Sequence, residues 1–274
     1  MTHSAARPTA VSRLSHPDGP RVFDGHFHII DPRFPLAANA GFLPAPFTAD
    51  AYLEQARPLG VIGGALVSGS FHAYDQSYLE DALARLGPGF VGVTQLPAET
   101  TEQEIHRLDG LGVRALRFNL RRGLHPDGVQ MLRLAQRAFD TAGWHVELYL
   151  DAEEIPSLSG LLAKLPTIGI DHLGLTGRGL PHVLRLVERG AWVKASGFGR
   201  VDFPIAAALR AIVGVNPDAL IFGTDLPCTR TPRPFAPADL DLIVDALEQD
   251  SLIRGVLHDN AVRLYRPRAS GAPS

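Results

Sequence analysis

Short apolar runs and longer amphipathic segments take turns along almost the whole chain. Eight runs rich in Val, Ile, Leu and Phe read as strands, over residues 22–28, 64–68, 90–94, 115–119, 145–149, 168–172, 192–196 and 220–225. They are short and largely apolar on both faces, as expected of parallel strands covered by helices on one side and a core on the other. The stretches between them carry helical period and helix punctuation. Thr48, Thr100 or Thr101, and Pro126-Asp127 stand at helix starts, where a side-chain oxygen can bond the free backbone N–H groups. Gly60, Gly87, Gly112, Gly143 and Gly190 fall just past helix ends, where a left-handed residue is wanted.

Eight such units in 274 residues predict an α/β fold, a single-domain (β/α)8 TIM barrel over residues 22–266, with disordered segments at 1–21 and 267–274. An open dinucleotide-binding sheet would need a glycine-rich first turn, and the first strand instead ends in His26-Phe27-His28. Residues 31–47 form the one long connection without helical pattern, and their Pro, Asn and Gly content predicts a lid or mouth segment.

A hydrophobic content of 45% is enough for a sizeable core, and the formal net charge of -3 offers no broad attraction for nucleic acid or an anionic membrane surface. A small-molecule partner is the better expectation, with self-association into a homo-oligomer left open. No apolar run reaches membrane length, and the first 21 residues lack the apolar centre of a secretion signal. The lone cysteine, Cys228, excludes an intrachain disulfide, and the expected location is cytoplasmic.

The chemistry concentrates at strand ends. His26 and His28 are two residues apart on one strand, so their side chains share a face, while His172 closes the sixth predicted strand and Asp225 the eighth. Barrel enzymes place reacting groups at the C-terminal ends of strands, so these four side chains are predicted to converge. Each also has a simpler reading, a strand cap for the His pair and a turn cap before Pro227 for Asp225. The set can act without a cofactor or hold one zinc or manganese ion for a hydrolase or a non-oxidative decarboxylase. Strands four and five end without a lysine able to carry a carbamate, which argues against a two-metal centre. A barrel that binds an acidic metabolite without turning it over is a third reading.

Other polar residues are weaker candidates. His72, Tyr74 and Asp75 follow strand two and can line the mouth, although Asp75 equally caps the next helix. Glu147 lies deeper in its strand, in a barrel layer, and His106, His125, His145, His182 and His258 fall away from the expected site face. Cys228 lacks the surroundings of a nucleophile and reads as a packed thiol.

The runs Phe23-Asp24-Gly25-His26-Phe27-His28, Ile170-Asp171-His172-Leu173-Gly174, Val193-Lys194-Ala195-Ser196-Gly197, Gly223-Thr224-Asp225-Leu226-Pro227 and Asn260-Ala261-Val262-Arg263-Leu264-Tyr265 resemble the amidohydrolase-related family, and within it the 2-pyrone-4,6-dicarboxylate lactonase group. The likeness covers about Val22 to Arg266. It implies a lactone-opening hydrolase that works without a metal, with Asp225 as general base on water and His26, His28 and His172 polarising the carbonyl. It also implies that Arg117, Tyr149, Arg200 and Ser70 bind a carboxylated substrate. Two departures are visible. Leu226-Pro227-Cys228 stands where the group has Trp-Pro-His, and Arg121-Arg122 does not keep the spacing of the group's second arginine after strand four.

Overall fold

The computed structural model describes residues 21–123 and 125–268, so the expected disordered ends lie, but for residues 21, 267 and 268, outside the described residues. Eight parallel strands follow one another around one sheet in chain order: β1 (Val22–Phe27), β2 (Val61–Val67), β3 (Phe90–Thr94), β4 (Val113–Asn119), β5 (His145–Tyr149), β6 (Ile168–Ile170), β7 (Trp192–Ala195) and β8 (Leu220–Phe222). Helices α1 (Ala49–Ala56), α2 (Ser77–Leu86), α3 (Glu102–Leu111), α4 (Gly128–Ala142), α5 (Ile155–Leu162), α6 (Leu180–Glu188), α7 (Ile205–Val215) and α8 (Ala238–Leu247) follow the strands one for one. A short α9 (Asp250–Arg254), a π-helical turn and α10 (Asn260–Tyr265) complete a single-domain TIM barrel. No helix among the described residues is long and apolar enough to cross a membrane.

The helix punctuation acts as the sequence predicts. Thr48, Thr101 and Asp127 accept backbone N–H bonds at the starts of α1, α3 and α4, and Gly112 and Gly143 take left-handed conformations after α3 and α4.

The barrel closes between the end of β1 and the turn that follows β8. The N–H of Asp225 donates to the carbonyl of His26 at 2.7 Å, and that of His28 to the carbonyl of Leu226 at 2.7 Å. Two glycines allow this approach: a Cβ on Gly25 would stand 2.5 Å from Ile221 and 2.7 Å from the Phe222 carbonyl, and one on Gly223 would stand 2.8 Å from His26. Asp24, fully buried, adds a third clasp by accepting from the Thr224 N–H at 2.8 Å and the Thr224 hydroxyl at 2.7 Å.

Inside the barrel the layers change character with height. At the N-terminal end Phe23, Ala65, Val91, Ala115 and Ile221 pack with Ala261 and Tyr265 of α10, and the Tyr265 ring stacks on Phe23. Above them lies a layer of buried charge, and above that the mouth. The outer faces of the strands pack on the helices in one large core.

Five predicted strands end early, the first, second and seventh by one residue and the sixth and eighth by two and three. The sixth stops at Ile170 and the eighth at Phe222, so neither His172 nor Asp225 lies within a strand. Both residues have positive φ, 50° at His172 and 60° at Asp225, a conformation that costs a non-glycine residue about 1–3 kcal/mol and that collects at functional sites. The second and fourth strands begin earlier than expected, at Val61 and Val113. The 31–47 segment is tied beside the mouth: Ile30 and Phe47 pair antiparallel at its base, the Ala37 N–H reaches the Phe71 carbonyl, and Asn39 and Phe42 form its turn.

Candidate active site

His26 lies in β1 and His28 one residue past its end, with ring centroids 5.0 Å apart, and the turns after β6 and β8 bring His172 and Asp225 to the same point. Oδ1 of Asp225 lies 3.8, 3.6 and 3.9 Å from Nε2 of His26, His28 and His172. These separations exceed hydrogen-bond length. Oδ1 of Asp225 and Nε2 of His26 have no hydrogen-bond partner among the described residues. The four groups therefore surround a shared gap instead of satisfying one another, and all four are buried.

The other carboxylate oxygen is engaged. Arg200 directs Nε and Nη2 onto Asp225 Oδ2 at 2.8 and 2.7 Å, and Nη2 also reaches the Thr229 carbonyl at 2.7 Å. Burial alone would raise the proton affinity of Asp225, but the facing His172 and the Arg200 charge hold it well below the usual carboxylate range. Burial brings His172 down to about 4, against the pull of Asp225.

The outer nitrogens of the histidines set their tautomers. Nδ1 of His28 lies 2.7 Å from the Val67 carbonyl, which can only accept, so Nδ1 carries the hydrogen and Nε2 presents a lone pair to the gap. Nδ1 of His172 meets the Ser196 hydroxyl at 2.9 Å. His26 sits between two choices, with Nδ1 3.3 Å from Lys194 Nζ and 3.4 Å from Asp171 Oδ1.

Lys194 and Asp171 belong to the charged layer under the mouth. The Lys194 ammonium donates to Glu147 and lies 3.6 Å from Asp171. Asp171 Oδ2 accepts Nε and Nη2 of Arg117 at 3.0 Å each, while Glu147 accepts from Tyr265 at 2.5 Å and faces His145 at 3.3 Å. Two cations thus balance two anions in a fully buried layer, the arrangement that makes buried charge tolerable. Burial, reinforced by the Lys194 charge, keeps His26 well below its ordinary range. Asp171 is held low as well, because Arg117, His26 and Lys194 outweigh its burial.

Asp24, Asp171 and Lys194 stand in quoted motifs, yet sequence reasoning gave them no part in the site. Glu147 and His145 lie below the mouth, as expected. His72 does not line the mouth: Nε2 meets the Ile29 carbonyl at 2.8 Å, Nδ1 accepts the Gly69 N–H, and the ring stacks on Tyr78. Asp75 accepts the Tyr78 N–H and the Ser77 hydroxyl, which is the capping alternative. Cys228 is buried, bonds to Thr224 and Phe235, and its thiol is pushed up to about 12 by burial and by Asp225, so it stays protonated. His125 is exposed.

Ser70, Arg117, Tyr149 and Arg200 border the cleft above Asp225, together with Arg122 and Arg230. The Arg117 guanidinium lies 5.3 Å from the centre of the Tyr149 ring. Ligand atoms of His26, His28 and Asp225 lie within 4.8 Å of one another. A bare Nε2 on His28, an unpartnered carboxylate oxygen and two further imidazoles are a donor set that fits one divalent cation.

The amidohydrolase family model matches residues 23–266. Among characterised relatives, 4-sulfomuconolactone hydrolase of Hydrogenophaga intermedia is 27% identical over 92% of this chain and 91% of its own. The 2-pyrone-4,6-dicarboxylate hydrolase of Comamonas testosteroni is 26% identical over 89% and 90%. A solved structure from Pseudomonas putida, provisionally assigned as a 2-pyrone-4,6-dicarboxylic acid hydrolase, is 27% identical and superposes with a TM-score of 0.77 over 90% of this chain and 98% of that one. A barrel from Acinetobacter baumannii, solved with citric acid bound, reaches 0.79 at 20% identity over 90% and 99%, and shares the fold. By its barrel and by a family match that spans nearly every described residue, this chain belongs to the amidohydrolase family and is a hydrolase.

Proposed function

We propose that the protein opens a lactone, or a similar cyclic ester, of a carboxylated small molecule. The relatives named for lactone and pyrone substrates support the reaction class. The observation that carries the assignment is the division of labour within Asp225: Arg200 holds one oxygen, and the other is left unpartnered, facing three imidazoles. That free oxygen takes a proton from water as the water attacks the carbonyl carbon. Imidazole N–H groups stabilise the oxyanion, collapse breaks the ring C–O bond, and the Asp225 carboxyl returns its proton to the departing ring oxygen, leaving a hydroxyl and a carboxylic acid that then ionises. Arg200 keeps the base ionised and at the same time weak, so polarisation of the carbonyl carries much of the work. A Lys194 hydrogen bond to His26 Nδ1 leaves the hydrogen of that ring on Nε2, directed into the gap, which suits this role. Ser70, Tyr149, Arg117 and Arg200 supply donors around a substrate carboxylate at the cleft.

The bare Nε2 of His28 favours a second arrangement of the same chemistry. His26, His28, His172 and Asp225 would hold one zinc or manganese ion, which polarises the carbonyl and acidifies water when bound. Turnover of carboxylated lactones by wild type and Asp225→Asn, with metal content and chelator sensitivity measured alongside, tests the proposal. The expected result is a loss of about 10²–10⁴-fold in kcat with the fold intact. Unchanged turnover in Asp225→Asn would remove the base, and stoichiometric metal with chelator-sensitive activity would select the metal arrangement.

A further inference from the structure

A neutral imidazole carries one ring hydrogen, so the partner of its outer nitrogen settles whether the inner one donates or accepts. For His172 that partner is the Ser196 hydroxyl, 2.9 Å from Nδ1. Ser196 is buried, and its hydroxyl has no other hydrogen-bond partner among the described residues. If it accepted from Nδ1, its own hydrogen would be buried without an acceptor, a rarer and costlier state than an idle lone pair. The hydroxyl therefore donates, and the hydrogen of the ring sits on Nε2, 3.9 Å from Asp225 Oδ1. Gly197 permits the contact, since a Cβ there would stand 2.6 Å from His172 Nδ1.

His28 presents the opposite character to the same gap. Its Nδ1 hydrogen goes to the Val67 carbonyl at 2.7 Å, so its bare Nε2 and Asp225 Oδ1 are two acceptors 3.6 Å apart. Two acceptors that converge on one point are matched by a single atom bearing two hydrogens, as the oxygen of water does. A cation held by all four residues would suit His28 equally, but it would also need the Nε2 lone pair of His172, which the Ser196 hydrogen bond withholds.

We infer that Ser196 is a positioning residue that commits His172 to donate to the oxyanion, while His28 and Asp225 together hold the attacking water, so the imidazoles do not share one role. The inference rests on the hydrolytic reading of the site and assigns the parts within it. As the water oxygen bonds to the carbonyl carbon, one of its hydrogens passes to Asp225 Oδ1, and the carbonyl electron pair moves onto the oxygen that faces the His172 N–H. The other hydrogen stays on the new hydroxyl, held by His28 Nε2, and is the one lost when the carboxylic acid product ionises.

The test begins with the resting protein. Two-bond 1H–15N correlation spectra of 15N-histidine-labelled protein, as purified and in mildly alkaline buffer, separate the two neutral tautomers from each other and from the imidazolium, and His28→Leu and His172→Gln assign the signals. Wild type should show the hydrogen of His28 on Nδ1 and that of His172 on Nε2. Ser196→Ala should shift the His172 nitrogens, by freeing Nδ1, leave those of His28 in place, and lower kcat about tenfold with KM within about twofold. With hydroxylamine added as a competing nucleophile, His28→Leu should raise the hydroxamate share of the product at least about threefold, while Ser196→Ala leaves that share unchanged. The inference is overturned if His172 carries its hydrogen on Nδ1, if His28 carries one on Nε2, if Ser196→Ala leaves the His172 signals unmoved, or if both variants change the hydroxamate share alike. Absence of lactone turnover would sink the hydrolytic reading and leave the tautomer measurement standing.

Discussion

Lys194 Nζ lies 3.3 Å from Nδ1 of His26, joining the charged layer of the barrel to the mouth. An ammonium can only donate, so this contact fixes the ring hydrogen on Nε2, whereas a bond from Nδ1 to Asp171 Oδ1, at 3.4 Å, would leave Nε2 bare. The choice between these neighbours decides whether His26 enters the gap as a donor or as a lone pair.

Lys194→Met removes the donor while keeping much of the volume. Turnover should fall about 10-fold or more with KM little changed, because the substrate does not touch Lys194. Stability should also fall, by about 3–5 kcal/mol, since Glu147 is left as an uncompensated buried charge. The double variant Lys194→Met, Glu147→Gln should recover stability without recovering turnover. Recovery of both would show that the lysine serves only the fold.

The barrel seam gives a paired substitution. In Gly223→Ala the new methyl would stand 2.8 Å from both the backbone nitrogen and the Cβ of His26, which cannot step aside without opening the clasp. A loss of about 1–3 kcal/mol and a larger proportional loss of kcat are expected. Gly110→Ala, within α3 and with nothing within 4 Å of the new methyl, should stabilise by up to about 1 kcal/mol and leave activity alone. Equal melting temperatures for the two variants would refute the steric reading of the seam.

Acid should destabilise the chelator-treated protein over a defined range. The folded-state pKa of His172 is down at about 4, below its ordinary 6.5, so the folded protein holds this ring neutral while the unfolded chain takes up a proton. Its contribution to stability is whole above pH 6.5 and is lost as the pH falls through 4, amounting to about 3 kcal/mol over that range. Denaturant midpoints measured from pH 7 to 4 should fall for wild type, and less steeply for His172→Gln. Parallel slopes would assign the acid sensitivity to other groups.

The sequence reveals the barrel because its strands keep a near-continuous apolar character and its helix ends carry Thr, Asp and Gly in their usual places. His26 and His28 were legible as a pair because they lie at the end of β1 and one residue past it, where extended backbone keeps residues two apart on one face. His172 and Asp225 were legible by type and order but not by geometry: both lie past a strand end with positive φ, so strand periodicity does not apply to them. The same break explains why Asp171 went unnoticed. Within a strand it would face opposite to His172, whereas the turn after Ile170 lets both side chains meet His26. Lys194 is hidden by its apolar neighbours in β7, since nothing in a short run shows which buried cation has partners. Arg230 and Asn39 sit in irregular loops, and only folding brings the Arg230 guanidinium to Asn39.

The clasp between the first and last strands runs through the backbone of His26 and Asp225 themselves. The candidate constellation is consequently a readout of cylinder closure: it is absent from a nascent chain until the eighth strand has been made, and, with these residues as the proposed site, local fraying at that joint would silence the enzyme while most of the helical shell stays intact. Heat inactivation should therefore run ahead of the loss of helical circular dichroism.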